Sequence, residues 1–105
     1  MNLYFNKLRE YDNNIDYAIF DDDVNIGCLE ITYHTNHIFI RYLRINEDMH
    51  RKGYATAVMD YVLDYYKLPV CLCVNHNLSA KGFWENYFRG KNVVKGRGTI
   101  YTIYV

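Results

Sequence analysis

The sequence predicts a mixed α/β (α+β) fold: a twisted, mostly antiparallel sheet with two main helices, in the order β-β-β-α-β-α-β-β. Three observations carry that prediction. Short runs rich in β-branched and aromatic residues alternate with turn clusters between Ile15 and Ile45, as hairpins do. Apolar residues then switch to a spacing of three and four between Ala55 and Tyr66, which marks one buried helical face. A second strand-to-helix passage and a closing hairpin follow.

Taken in order, residues 1–14 are polar with scattered Leu3, Phe5, Leu8 and Tyr11, and read as a short helix or an arm. Ile15 to Phe20 is a strand, Asp21-Asp22-Asp23 its turn, and Val24 to Tyr33 the partner strand, interrupted by Gly27. After a turn over His34 to Asn36, Ile38 to Ile45 forms a third strand. There Ile38, Ile40 and Tyr42 alternate imperfectly with Phe39 and Leu43. The first helix is expected from about Arg51 to Tyr66, with Ala55, Val58, Met59, Val62 and Tyr66 inward and Asp60 and Asp64 elsewhere on its surface. Pro69 helps to end it, and Leu68 to Val74 suits a central strand. A second helix runs from Asn77 to about Phe88. Asn92 to Lys95, Gly96-Arg97-Gly98 and Thr99 to Val105 make the last hairpin. Nothing repeats and no linker intervenes, so residues 1–105 are expected to form a single domain.

Half of the residues are apolar and 23% charged, which excludes a disordered chain. The formal charge of zero hides an asymmetry. Residues 1–50 carry four basic and nine acidic side chains, and residues 51–105 carry eight and three. No long basic run supports nucleic-acid binding. No stretch has the length of a signal peptide or a membrane span, so a cytoplasmic, reducing setting is expected. Cys28, Cys71 and Cys73 are an odd set. Cys71 and Cys73 lie two apart on a strand and are expected to share a side, buried and inert, and no second pair completes a metal site.

The segment with most chemistry in it is Arg51-Lys52-Gly53-Tyr54-Ala55, between the third strand and the first helix. Backbone amides at a helix start are unpaired and carry the positive end of its dipole. A glycine there lets a phosphorylated ligand approach the main chain. Helix starts ordinarily favour acidic residues, so two cations beside a glycine point to a pyrophosphate-bearing cofactor. The plain alternative is a solvated basic turn.

The order of elements and two motifs resemble the GNAT N-acetyltransferase superfamily. That family's first signature is Arg or Gln, two residues, Gly, one residue, then Gly or Ala, after a strand ending in an apolar residue. Here Ile45 ends the strand, Gly53 is the first glycine and Ala55 the second small position, with His50 at the Arg/Gln place. The second signature matches Asn77-Leu78-Ser79-Ala80-Lys81-Gly82-Phe83-Trp84-Glu85-Asn86-Tyr87-Phe88, with Trp84 where the family usually has tyrosine. The resemblance covers roughly residues 15–105, and the family's usual first strand and following helix pair are not evident.

The resemblance implies acetyl-CoA as co-substrate and a primary amine as acceptor. The acceptor would be a protein lysine, an N-terminus or a small amine, and direct transfer would occur in a ternary complex. Met49 to Tyr54 would cradle the pyrophosphate, with Arg51 and Lys52 adding charge and His50 donating more weakly than Arg or Gln. Leu43, Arg44 and Ile45 would pair with the pantetheine arm in a V-shaped opening between two parallel strands. The Leu43 amide would polarise the thioester carbonyl. Asn77 would reach the pantetheine or cap its helix, and Ala80 is small where that helix approaches cofactor or sheet. Trp84 leaves the family's tyrosine acid vacant, and Tyr87 is its substitute or a core residue. Phe39 stands near the place of the family's glutamate base. Glu30, His37 and Glu47 are the nearby candidates, with Glu30 preferred because Cys28, Leu29 and Ile31 flank it. The missing acceptor wall implies a macromolecular acceptor or a homodimer. Two other readings stay open: a CoA-binding regulatory protein without turnover, and an interaction module for protein or nucleic acid.

Overall fold

The structure, a computed structural model, describes residues 1–74 and 78–105, with the backbone alone for 78–81. Strands β1 (Leu3–Tyr11), β2 (Asn14–Asp21), β3 (Val24–Tyr33) and β4 (Ile38–Ile45) form an antiparallel meander. Asp12 and Asp22 take left-handed φ angles of 52° and 53° in its first two turns, a conformation that Asp tolerates. Helix α1 (Tyr54–Tyr66) crosses over to β5 (Val70–Cys73), which lies parallel to β4. Helix α2 (Leu78–Phe88) leads to the hairpin of β6 (Asn92–Lys95) and β7 (Ile100–Tyr104). The single sheet has the order β1-β2-β3-β4-β5-β7-β6. The expected fold class and the expected order from β2 onward are those observed.

Two segments differ from expectation. Residues 1–14 are neither arm nor helix, because Leu3–Tyr11 pairs with β2 as an edge strand. An N-terminal strand is therefore present, and a tight turn joins it to β2 with no helix between them. Helix α1 begins at Tyr54 rather than Arg51. Arg51 and Gly53 have φ angles of 64° and 82°, which no right-handed helix contains.

Val58, Met59 and Val62 of α1 bury themselves against Ile19, Leu29, Ile31, Ile38, Ile40, Val70, Leu72 and Ile103 of the sheet. Tyr87 of α2 joins the same core and donates a hydrogen bond to Asp60 of α1, so both helices cover one face. Among the described residues no helix covers the other. Strand alternation places Asp16, Glu30, Tyr42, Arg44, Cys71, Cys73 and Tyr104 on this bare face. Cys71 and Cys73 share a side as expected, but Cys71 is half-buried and Cys73 exposed. The inward positions of β5 belong to Val70 and Leu72.

Candidate functional site

The ladder between β4 and β5 is short. Ile38, Phe39 and Ile40 pair with Val70, Cys71 and Leu72, and beyond Ile40 the two strands have no further pairing among the described residues. From Arg41 onward β4 keeps β3 on one side and opens a fork on the other. The backbone directions follow from the β3 side. A Cβ on Gly27 would lie 2.0 Å from the Arg44 carbonyl oxygen, and the Asn46 N–H donates to the Ile26 carbonyl at 2.8 Å. Arg44 and Asn46 therefore face β3, and alternation turns the N–H and C=O groups of Leu43 and Ile45 into the fork.

The loop from β4 to α1 closes the open end of that fork. Asn46 fixes its start, donating to the Asn25 carbonyl at 3.1 Å, while Asn25 donates to the carbonyls of Ile19 and Gly27. A single 3-10 turn over Glu47–Met49 follows. Arg51 and Gly53 are left-handed with Lys52 between them, an alternation that gathers successive N–H groups into a concavity. The first turn of α1 holds no acidic residue, and among the described residues no side chain caps it. Its amides are thus left for an anion, and Arg51 and Lys52 stand exposed beside them.

Tyr54 supplies its amide to this loop, while its side chain points elsewhere. Its hydroxyl donates to Asp21 Oδ2 at 2.5 Å, tying the start of α1 to the β2–β3 turn. That bond, with the Asn2 amide on the other oxygen, holds the Asp21 carboxyl below its ordinary pKa; the same bond raises the Tyr54 hydroxyl. Ala55, in the first turn of the helix, is half-buried. His50 is placed differently from expectation. Its Nε2 lies 2.8 Å from the Ile45 carbonyl, which can only accept, so Nε2 carries the hydrogen and is already used. The fork edge is left with the N–H and C=O of Leu43 and the N–H of Ile45, for which no backbone partner stands among the described residues.

The candidate acid and base are less simply placed. Tyr87 is 5% exposed, and its hydroxyl donates to Asp60 Oδ1 at 2.7 Å. Burial and this bond raise its pKa, so it is a poorer acid than free tyrosine. Trp84 packs against Phe83, Tyr87 and Phe88. Glu30 does not sit among Leu29 and Ile31, which point to the opposite face; it is half-exposed and accepts from Arg41 Nη1 at 3.3 Å. Phe39 lies on the paired part of β4, His37 is bound to Asn36, and Glu47 is exposed at the loop's start. Asn77 lies outside the described residues, as does the side chain of Ala80. Sequence reasoning missed Arg41 and Asp16, joined at 2.8 Å on the bare face. Their signal was the broken alternation of β4 at a lone arginine. Among the described residues no cluster of His, Cys, Asp and Glu is arranged to hold a metal, and no helix is long and apolar enough to cross a membrane.

The model of the acetyltransferase (GNAT) family matches residues 2–88, so the N-terminal strand falls inside the match. A protein from Bacteroides thetaiotaomicron assigned to the same family superposes with a TM-score of 0.73 at 19% identity, over 90% of this chain and 62% of that one. For PaiA N-acetyltransferase from Thermoplasma acidophilum, solved with coenzyme A, the TM-score is 0.60 at 18% identity, over 87% and 59%. For YhhK from E. coli, bound to coenzyme A, it is 0.69 at 15% identity, over 91% and 76%. The chain therefore spans about three fifths of the length of the first two. No curated protein matches it by sequence. A family model that matches most of the chain, on a sheet forked in this way beside a glycine loop, shows that the chain belongs to the acetyltransferase (GNAT) family.

Proposed function

We propose that the chain binds acetyl-CoA in the β4–β5 fork and transfers its acetyl group directly to a primary amine. The observation that carries this reading is the conjunction of an unpaired Leu43 backbone in the fork with an uncapped helix start at Gly53. Pyrophosphate takes the amides of the loop and first turn, from Arg51 to Ala55, with Arg51 and Lys52 as counter-charges. The pantetheine arm then runs along Leu43, Arg44 and Ile45, where His50 already occupies one carbonyl. The Leu43 N–H faces the thioester oxygen, where negative charge grows as the amine attacks.

The acceptor arrives from the bare face, since the helices fill the other. Glu30 on that face is the carboxylate we assign to take the amine proton through water. No tyrosine is needed to protonate CoA, because a thiolate is a tolerable leaving group near neutral pH. A protein lysine, an N-terminus or a small amine would all fit, in the cytoplasm. A macromolecular acceptor or a second copy of the chain would complete the open wall.

A second reading, CoA binding without turnover, is favoured by Trp84 and by the commitment of Tyr87 to Asp60. Calorimetric titration with acetyl-CoA of the wild type and Gly53→Glu tests the site, with micromolar binding expected only for the wild type. No binding by either protein sinks both readings. Turnover on amine and lysine-peptide panels then separates them.

A further inference from the structure

The following inference rests on the acetyl-CoA reading and deepens it. Arg41 is the extra residue where the β3–β4 register slips: Glu30 faces Tyr42, Ile31 faces Ile40, and Arg41 has no opposite number. The slip comes directly after Ile40, the last β4 residue paired with β5. Bulge and fork therefore begin at the same place.

The Arg41 side chain folds back across β3. Its Nη2 donates to the Ile31 carbonyl at 3.2 Å and to Asp16 Oδ1 at 2.8 Å, and its Nη1 donates to Glu30. Asp16 is 8% exposed and lies on β2, one strand farther away. Its other oxygen accepts from Arg9 Nε and Nη2 at 3.1 and 2.9 Å. The bonds to Arg41 and Arg9 hold the Asp16 carboxyl below its ordinary pKa, against the opposing effect of burial.

Such a network is a poor way to gain stability. The Arg41 Nε is shut off from solvent with no partner among the described residues, and partly buried ion pairs lose much of their attraction to desolvation. What the network supplies is geometry. A bulge bends and twists its strand and re-aims the residues beyond it, and a planar guanidinium can hold several acceptors at fixed angles.

We infer that Arg41, gripped by Asp16 and Glu30, is the positioning residue that fixes the β4 bulge and aims the Leu43 amide into the fork. Asp16 and Glu30 bridge from β2 and β3, so the bulge is braced against the meander.

The test reads two backbone amides by nitrogen-15 NMR, with CoA and acetyl-CoA as probes. In the wild type the Gly53 amide shifts alike with both probes, and the Leu43 amide shifts further with acetyl-CoA. Arg41→Met and Asp16→Asn are expected to keep the Gly53 response and lose the extra shift at Leu43. Arg9→Ala removes an exposed partner and leaves both responses intact. Arg41→Lys, which keeps the charge but not the fork of donors, gives a reduced difference and serves where Arg41→Met does not fold. An unchanged Leu43 difference in the Arg41 and Asp16 variants overturns the inference while the acetyl-CoA reading stands. Silence of both amides in the wild type overturns the reading and the inference with it.

Discussion

Two glycines show how differently one residue type can be required. At Gly27 the obstacle is the neighbouring strand, since a Cβ would stand 2.0 Å from the Arg44 carbonyl oxygen. Backbone on backbone cannot give way without parting β3 from β4. Gly27→Ala is therefore expected to cost on the order of 3 kcal/mol, read from the urea midpoint. At Gly53 nothing lies within 4 Å of the added atom, and only the φ of 82° resists it. Gly53→Ala should cost about 1 kcal/mol, and its larger effect should fall on acetyl-CoA affinity. Gly53 was legible because its neighbours are cations at a helix start. Gly27 showed only as an interruption, because the close approach that demands it comes from Arg44 on the next strand, far along the chain.

α1 was legible from one unbroken periodicity, and β3, β4 and the last hairpin from runs of β-branched and aromatic residues between turn clusters. β1 was not. Its register slips between Lys7 and Arg9, so Leu3, Phe5 and Leu8 follow neither the period of a strand nor that of a helix. The same cause hid the fork, for a bulge spoils alternation and the pairing of β4 with β5 is non-local. The join of α1 to the β2–β3 turn has a consequence in acid. Asp21 titrates below its ordinary value in the folded chain, so its contribution is complete above about pH 4 and is lost as pH falls through the folded pKa. Asp16 acts in the same direction. Tyr54→Phe should shrink this acid-side loss by removing the part of the Asp21 share that its hydroxyl supplies, leaving the part due to the Asn2 amide, measured by urea midpoints between about pH 3 and pH 7.

At the scale of the molecule, both helices lie on one face and the basic half of the sequence carries the glycine loop. A ligand bound there stabilises the whole chain by mass action. Acetyl-CoA at about a hundred times its Kd should add about 2.7 kcal/mol, a rise in Tm on the order of 10 °C for a chain of this size, read by thermal shift. The short ladder between β4 and β5 has one more consequence. The sheet is two pieces, a meander of β1 to β4 and a three-stranded unit of β5, β7 and β6, paired with each other among the described residues only where Ile38–Ile40 meets Val70–Leu72, with the Ile38 N–H donating to the Pro69 carbonyl at 2.9 Å. Such a seam is where a sheet breathes first. In hydrogen exchange the β5 amides should open sooner than those between β2 and β3, and acetyl-CoA, if bound across both pieces as proposed, should slow them as a clasp closes a hinge.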